Sequence, residues 1–149
     1  MKRRILLADD DESVLKMLGR VLESEGYEVM LSRTAGEAMN RVLTRSPELV
    51  LLDIGMPDKD GWEAYALIER LQPHIPVIAI TGKPNQHRQA QQTGIDVLME
   101  KPLDFEALLD IICKLLEKSD LEKAERQKAE RARGPLTPPP ARVGFNGGG

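Results

Sequence analysis

Short apolar runs recur along this chain, and each is followed by a stretch with helical hydrophobic spacing. The runs are Ile5–Ala8, Tyr27–Leu31, Leu49–Leu52, Val77–Ile80 and Val97–Met99. The first, third and fourth are apolar throughout, as expected of strands covered on both faces in a parallel sheet. Glu28 interrupts the second, which predicts a more exposed strand. Between the runs, Val14, Leu15, Leu18, Val21 and Leu22 fall at helical spacing, and so do Ala35, Ala38, Met39, Val42 and Leu43. Thr34-Ala35-Gly36-Glu37 has the form of a capping box for the second helix. Asp60 is placed to cap a third helix carrying Trp62, Tyr65, Ile68 and Leu71, closed by Pro73. Asp104 is placed to cap a fifth, carrying Leu108, Leu109, Ile111, Ile112, Leu115 and Leu116. Between Thr81 and Gly94 only Ala90 offers an apolar anchor, so the fourth helix is expected to be short and weakly held. Parallel neighbours need right-handed crossovers, and five such units predict a doubly wound α/β domain with helices on both faces of the sheet.

With 149 residues there is room for one ordinary domain and an extension. Aromatic residues make up only 3%, so aliphatic side chains must build the core. A net charge of −3 argues against a nucleic-acid partner, which needs a basic footprint. The one cysteine, Cys113, excludes an internal disulfide, and its setting in LLDIICKLL predicts a small core residue. The opening MKRRILLADDD turns acidic too soon for a signal peptide or a membrane span, which leaves no membrane partner and a reducing cytoplasm as the expected location. From Ser119 the composition changes. SDLEKAERQKAERARG is charged and helix-prone, and GPLTPPPARVGFNGGG is rich in Pro and Gly. Residues 1–118 are therefore expected to form the domain, and 119–149 a helical extension, ended by Gly134-Pro135, and a disordered tail. No output domain is expected after Leu116, and the alternating charges of the extension fit a solvated helix.

The acids are more informative than the composition. Asp9, Asp10 and Asp11 follow the first strand, and Asp53 ends the third in LVLLD. In a flavodoxin-like sheet of order 2-1-3-4-5, ligands bind beyond the carboxyl ends of the strands, where the order reverses between strands one and three. The acids converge on that point. Asp11 is read as a cap of the first helix. Clustered carboxylates repel unless a cation compensates, and Mg²⁺ suits one or two carboxylates together with phosphate oxygens. Thr81-Gly82 and Lys101-Pro102 close strands four and five, bringing a hydroxyl and an ammonium to the same rim. A carboxylate nucleophile, a metal, a hydroxyl and a lysine are what phosphoryl transfer requires.

The segments ILLADDDES, LVLLDIGMPDKDGWE, VIAITG and EKP, in this order and spacing, resemble the receiver domain of bacterial response regulators, over about Lys2 to Leu116. The resemblance implies that Asp53 is the phosphoacceptor. It implies that Asp9 and Asp10, with Asp53 and the backbone carbonyl of Gly55, hold Mg²⁺. Thr81 resembles the family's switch hydroxyl and Lys101 its lysine, and a cis peptide is implied at Lys101-Pro102. A sensor histidine kinase or phosphotransfer protein would be the donor, with a downstream protein as the other partner. The family's usual switch aromatic falls at Leu98, which has neither a ring nor a hydroxyl, and the segment after Thr81 is about two residues shorter than the common form by that comparison. Chemistry intact with an unusual readout is the expectation.

The favoured function is a relay that catalyses only its own phosphorylation and hydrolysis, and so is not an enzyme of metabolites. One alternative is a scaffold that keeps the fold without the chemistry, against which the complete site argues. Another is an aspartyl-phosphate phosphatase, but such enzymes usually carry a second acid two residues after the nucleophile, where this chain has Gly55. His74 and His87 lie in polar contexts and are read as surface residues.

Overall fold

A computed structural model describes residues 2–58, 60–83, 86–95 and 97–134. The chain alternates β1 (Arg4–Ala8), α1 (Glu12–Ser24), β2 (Glu28–Ser32), α2 (Ala35–Arg45), β3 (Leu49–Asp53), α3 (Gly61–Leu71), β4 (Val77–Thr81), α4 (His87–Thr93), β5 (Val97–Glu100) and α5 (Phe105–Arg133). The strands form one parallel sheet of order β2-β1-β3-β4-β5. This is the doubly wound flavodoxin-like arrangement anticipated from the apolar runs. β3 and β4 are buried along their whole length, and β2 is the more exposed edge strand that Glu28 foretold.

Side-chain alternation divides the core between the two faces of the sheet. Ile5, Leu7, Leu49, Leu51, Ile78 and Ile80 meet Leu15, Leu18 and Leu22 of α1 and Leu108, Ile112 and Leu116 of α5. On the other face Leu6, Ala8, Val50 and Leu52 meet Ala35, Ala38 and Val42 of α2 and Ala64, Tyr65 and Ile68 of α3. α4 is held by little, as its composition predicts. Ala90 is its one buried residue, packed with Trp62 and Ala79, and no side chain caps its N-terminus.

Local capping follows the sequence closely. Asp11 accepts hydrogen bonds from the Ser13 and Val14 amides, Thr34 from Glu37, Asp60 from Trp62 and Asp104 from Ala107. The Glu37 carboxylate returns to the Arg33 amide rather than to that of Thr34.

Several expectations need correction. β2 begins at Glu28 because the Tyr27 amide donates to the Leu22 carbonyl, closing α1 through Gly26 at φ +90°. Glu28 is then the first residue of the strand, opposite Arg4, with its amide donating to the Arg3 carbonyl at 2.8 Å. Cys113 is exposed, not in the core. α5 buries Leu108, Ile112 and Leu116 at a spacing of four, and Cys113 lies about 100° round the helix from that stripe. Leu43 is exposed for the same reason, one residue past Val42, and Leu71 is exposed in the last turn of α3.

The chain divides into two units, Met1–Ser119 and Asp120–Gly149. Helix α5 continues well beyond Leu116 and ends at Arg133, where Gly134 turns at φ +74°. Pro135 and the expected disordered tail lie outside the described residues. The residues that α5 contributes to the core all precede Ser119. Truncation after Ser119 is therefore expected to leave the first unit folded, with a melting temperature lowered by less than about 5 °C, on the order of 1 kcal/mol at this size. Thermal unfolding followed by circular dichroism checks this, and a larger loss would move the boundary of the folding unit. No helix among the described residues is long and apolar enough to cross a membrane.

Candidate functional site

The carboxyl ends of β1, β3, β4 and β5 bring the predicted residues together. Asp9, just beyond β1, is 1% exposed, and its amide donates to the Ser32 carbonyl at 3.0 Å. Its Oδ1 accepts from the Asp11 amide at 2.9 Å, and its Oδ2 from Lys101 Nζ at 3.0 Å. Asp53, the last residue of β3, is 5% exposed. Its Oδ1 accepts from the Gly55 amide at 2.8 Å and its Oδ2 from Lys101 Nζ at 3.3 Å. Asp10 is exposed beside them. One carboxylate oxygen each from Asp9, Asp10 and Asp53 lie within 4.8 Å of one another. Three hard-oxygen donors this close, two of them buried, fit a divalent cation such as Mg²⁺.

Two buried carboxylates share a single ammonium, that of Lys101, at 3.0 Å from Asp9 and 3.3 Å from Asp53. Burial raises the Asp53 pKa above the usual carboxylate value. The Gly55 amide works against that rise, the charge of Asp9 adds to it, and Lys101 again opposes it. For Lys101, burial pulls the pKa down, but the hydrogen bond to Asp9 and the charges of both carboxylates outweigh burial and hold it above its ordinary value. Lys101 is therefore a fixed cation at neutral pH.

Thr81 ends β4 and is 2% exposed. Its Oγ1 accepts from the Lys83 amide at 3.0 Å and donates to the Lys83 carbonyl at 3.3 Å, so the hydroxyl is engaged with its own loop. The Lys101 amide donates to the Thr81 carbonyl at 2.8 Å, and the Lys101-Pro102 peptide is cis. Gly55 is exposed at the rim. Leu98 is not among these groups. It lies on β5, half-buried against the cluster of Trp62, Ala79 and Ala90. His74 and His87 are exposed, the latter 3.3 Å from Glu100.

A cleft of about 710 Å³ opens past the end of β3, lined by Ile54, Gly55, Trp62, Thr81, Lys83 and Gln86 among others. The indole of Trp62 donates to Gln86 Oε1 at 3.3 Å, tying the start of α3 to the start of α4. Three features of this rim had escaped sequence reasoning: the Trp62–Gln86 bond, the close approach of Gly61 to Ile54, and the reach of the Asp58 carboxylate to the α2 amides of Ala35 and Gly36. Each joins residues distant in the chain or depends on backbone contact, and no local spacing signals either.

Residues 5–113 match the model of the response regulator receiver domain. The chain is 40% identical over 118 residues to the transcriptional regulatory protein GlrR of Escherichia coli K12, covering 77% of this chain and 26% of that protein. It is 35% identical over 114 residues to the CAI-1 autoinducer sensor kinase/phosphatase CqsS of Vibrio cholerae, covering 73% of this chain and 17% of that one. It thus spans about a quarter or less of these relatives. Among solved structures, a CheY-like response regulator receiver domain protein from Methanospirillum hungatei superposes with a TM-score of 0.78 at 32% identity, covering 82% of this chain and 99% of that one.

Proposed function

Because the chain belongs to the response regulator receiver domain family, we propose that it is the phospho-accepting element of a two-component relay, with Asp53 as the acceptor. One observation carries this reading: a buried carboxylate ends the central strand β3, with two further carboxylates and one ammonium grouped around it. The donor would be a phosphohistidine of a sensor kinase or phosphotransfer protein. The Asp53 carboxylate attacks phosphorus, the P–N bond breaks, and its electron pair returns to the imidazole nitrogen, which takes up a proton. An acyl phosphate on Asp53 results. The Lys101 ammonium, already bonded to Asp53 Oδ2, pairs with the phosphoryl charge. The Thr81 hydroxyl leaves the Lys83 backbone to donate to a phosphoryl oxygen.

Asp9, Asp10, Asp53 and the Gly55 carbonyl would hold Mg²⁺. When bound, the ion neutralises charge on the phosphoryl oxygens. The domain promotes only its own phosphorylation and hydrolysis, works in the cytoplasm, and passes the change to a downstream protein.

Incubation with acetyl phosphate and Mg²⁺ tests the proposal by intact mass. Gain of one phosphoryl group, prevented by EDTA, is the expected result. No uptake under these conditions would overturn it. Asp10→Asn is expected to weaken Mg²⁺ binding about tenfold, since affinity at such sites follows the count of charged oxygen ligands. Titration by Trp62 fluorescence reads this, because Trp62 lines a cleft together with Gly55 and Thr81. Unchanged affinity would remove Asp10 from the metal site.

A further inference from the structure

The loop between Asp53 and Gly61 carries Gly55 and is anchored to β4, to the end of β3 and to the core. The Ile54 amide donates to the Ile80 carbonyl at 2.9 Å, the Gly55 amide to Asp53, and Met56 is buried on the α2–α3 face of the sheet. Asp60 ends the loop as the cap of α3. Asp58 is different, because it reaches out of the loop to another helix. Its Oδ1 accepts from the Ala35 amide at 2.9 Å and its Oδ2 from the Gly36 amide at 3.2 Å. These are the first two amides of α2, and neither has a partner within the helix. The helix's own cap, Thr34, serves the third, that of Glu37. The start of α2 is thus satisfied partly by its own N-cap and partly by an acid more than twenty residues along the chain. The positive end of the helix strengthens a bond to a carboxylate, so the tether is charge-assisted.

We propose that Asp58 is a positioning residue for the phosphoryl-transfer site: by clamping the β3–α3 loop to α2, it sets Gly55 in the place from which its main chain serves the metal and Asp53. This deepens the reading above and rests on it for the metal. Capping alone would make Asp58 equivalent to Thr34, whose hydroxyl serves the same helix end through the Glu37 amide. The two side chains therefore separate a positioning role from a stabilising one.

Three variants decide it: Asp58→Ala, Asp58→Asn and Thr34→Ala. In Mg²⁺-free protein, hydrogen exchange of the Gly55 amide is expected to quicken in Asp58→Ala and not in Thr34→Ala, although both lower the melting temperature. In Mg²⁺ titrations followed by Trp62 fluorescence, Asp58→Ala is expected to raise the dissociation constant about tenfold, the lower end of what is lost when the support of a ligand is removed. Thr34→Ala is expected to bind as wild type does. Asp58→Asn, which keeps an oxygen for the Ala35 amide, recovers most of the affinity. Equal behaviour of Asp58→Ala and Thr34→Ala in both measurements would overturn the proposal. Asp10→Asn, titrated alongside, keeps the two readings apart. If that variant leaves Mg²⁺ affinity unchanged, the metal reading is what fails, and the metal-free exchange of the Gly55 amide then decides the tether.

Discussion

Replacing Asp53 with asparagine is expected to abolish phosphoryl uptake and, in Mg²⁺-free buffer at neutral pH, to raise the melting temperature. The first effect follows from chemistry. Asparagine has nearly the same shape, but its amide is not a nucleophile toward phosphorus, so the intact mass after acetyl phosphate treatment should match that of the untreated variant. Continued labelling would mean that another group is the acceptor. The second effect follows from electrostatics. Asp9 and Asp53 are 1% and 5% exposed and share one ammonium. Burial raises the Asp53 pKa, with the charge of Asp9 adding to it against the Gly55 amide and Lys101. A carboxyl with a raised pKa in the folded state adds stability while protonated, below its unfolded pKa, and loses that contribution as pH rises through the folded value. At neutral pH the ionised Asp53 is therefore a cost, and asparagine removes it. The amide oxygen can still accept from the Gly55 amide, and Lys101 keeps Asp9. Thermal unfolding should show the variant melting several degrees higher at pH 7, with the gap narrowing as pH falls toward the ordinary carboxylate range. A lower melting temperature at pH 7 would show that the Lys101–Asp53 pair outweighs burial and repulsion.

Gly61→Ala is expected to be among the most damaging single changes to the fold outside the sheet. A Cβ at this first position of α3 would fall onto the backbone of Ile54, with the Ile54 carbonyl carbon at 2.6 Å and its Cα and oxygen closer still. A side chain can swing away from such a contact, but this neighbour is main chain, fixed by the bond from the Ile54 amide to the Ile80 carbonyl. The loop or the start of α3 must shift, and Ile54 lies between Asp53 and Gly55. The expected loss is about 3 kcal/mol or more, the upper end of overpacking costs, or a fall in melting temperature of roughly 15 °C. Phosphoryl uptake should slow as well. Gly36→Ala is the control, because its Cβ would meet nothing closer than 3.9 Å. If Gly61→Ala melts within about 2 °C of wild type, the close approach does not constrain this loop.

The parts of this protein that depend on neighbours in the chain are legible from the order of residues. The apolar runs became strands, the helical spacings became helices, and Asp11, Thr34, Asp60 and Asp104 became caps, because each rests on the geometry of a few consecutive residues. The convergence of Asp9, Asp10, Asp53, Thr81 and Lys101 was legible too. Each lies at or just beyond a strand's carboxyl end, and because all the strands are parallel those ends share one rim. The remaining features come from packing between separate elements. Cys113 and Leu43 sit beside buried residues in apolar helical segments, yet both face solvent, because the width of the buried stripe is set by how the helix lies on the sheet. Asp58 looks like any loop acid until the β3–α3 loop is laid against α2, where it meets amides more than twenty residues earlier in the chain. Gly61 reads as part of a turn until its approach to the Ile54 backbone is seen. Period and capping are local properties of a chain, whereas contacts of this kind exist only once separate elements have packed.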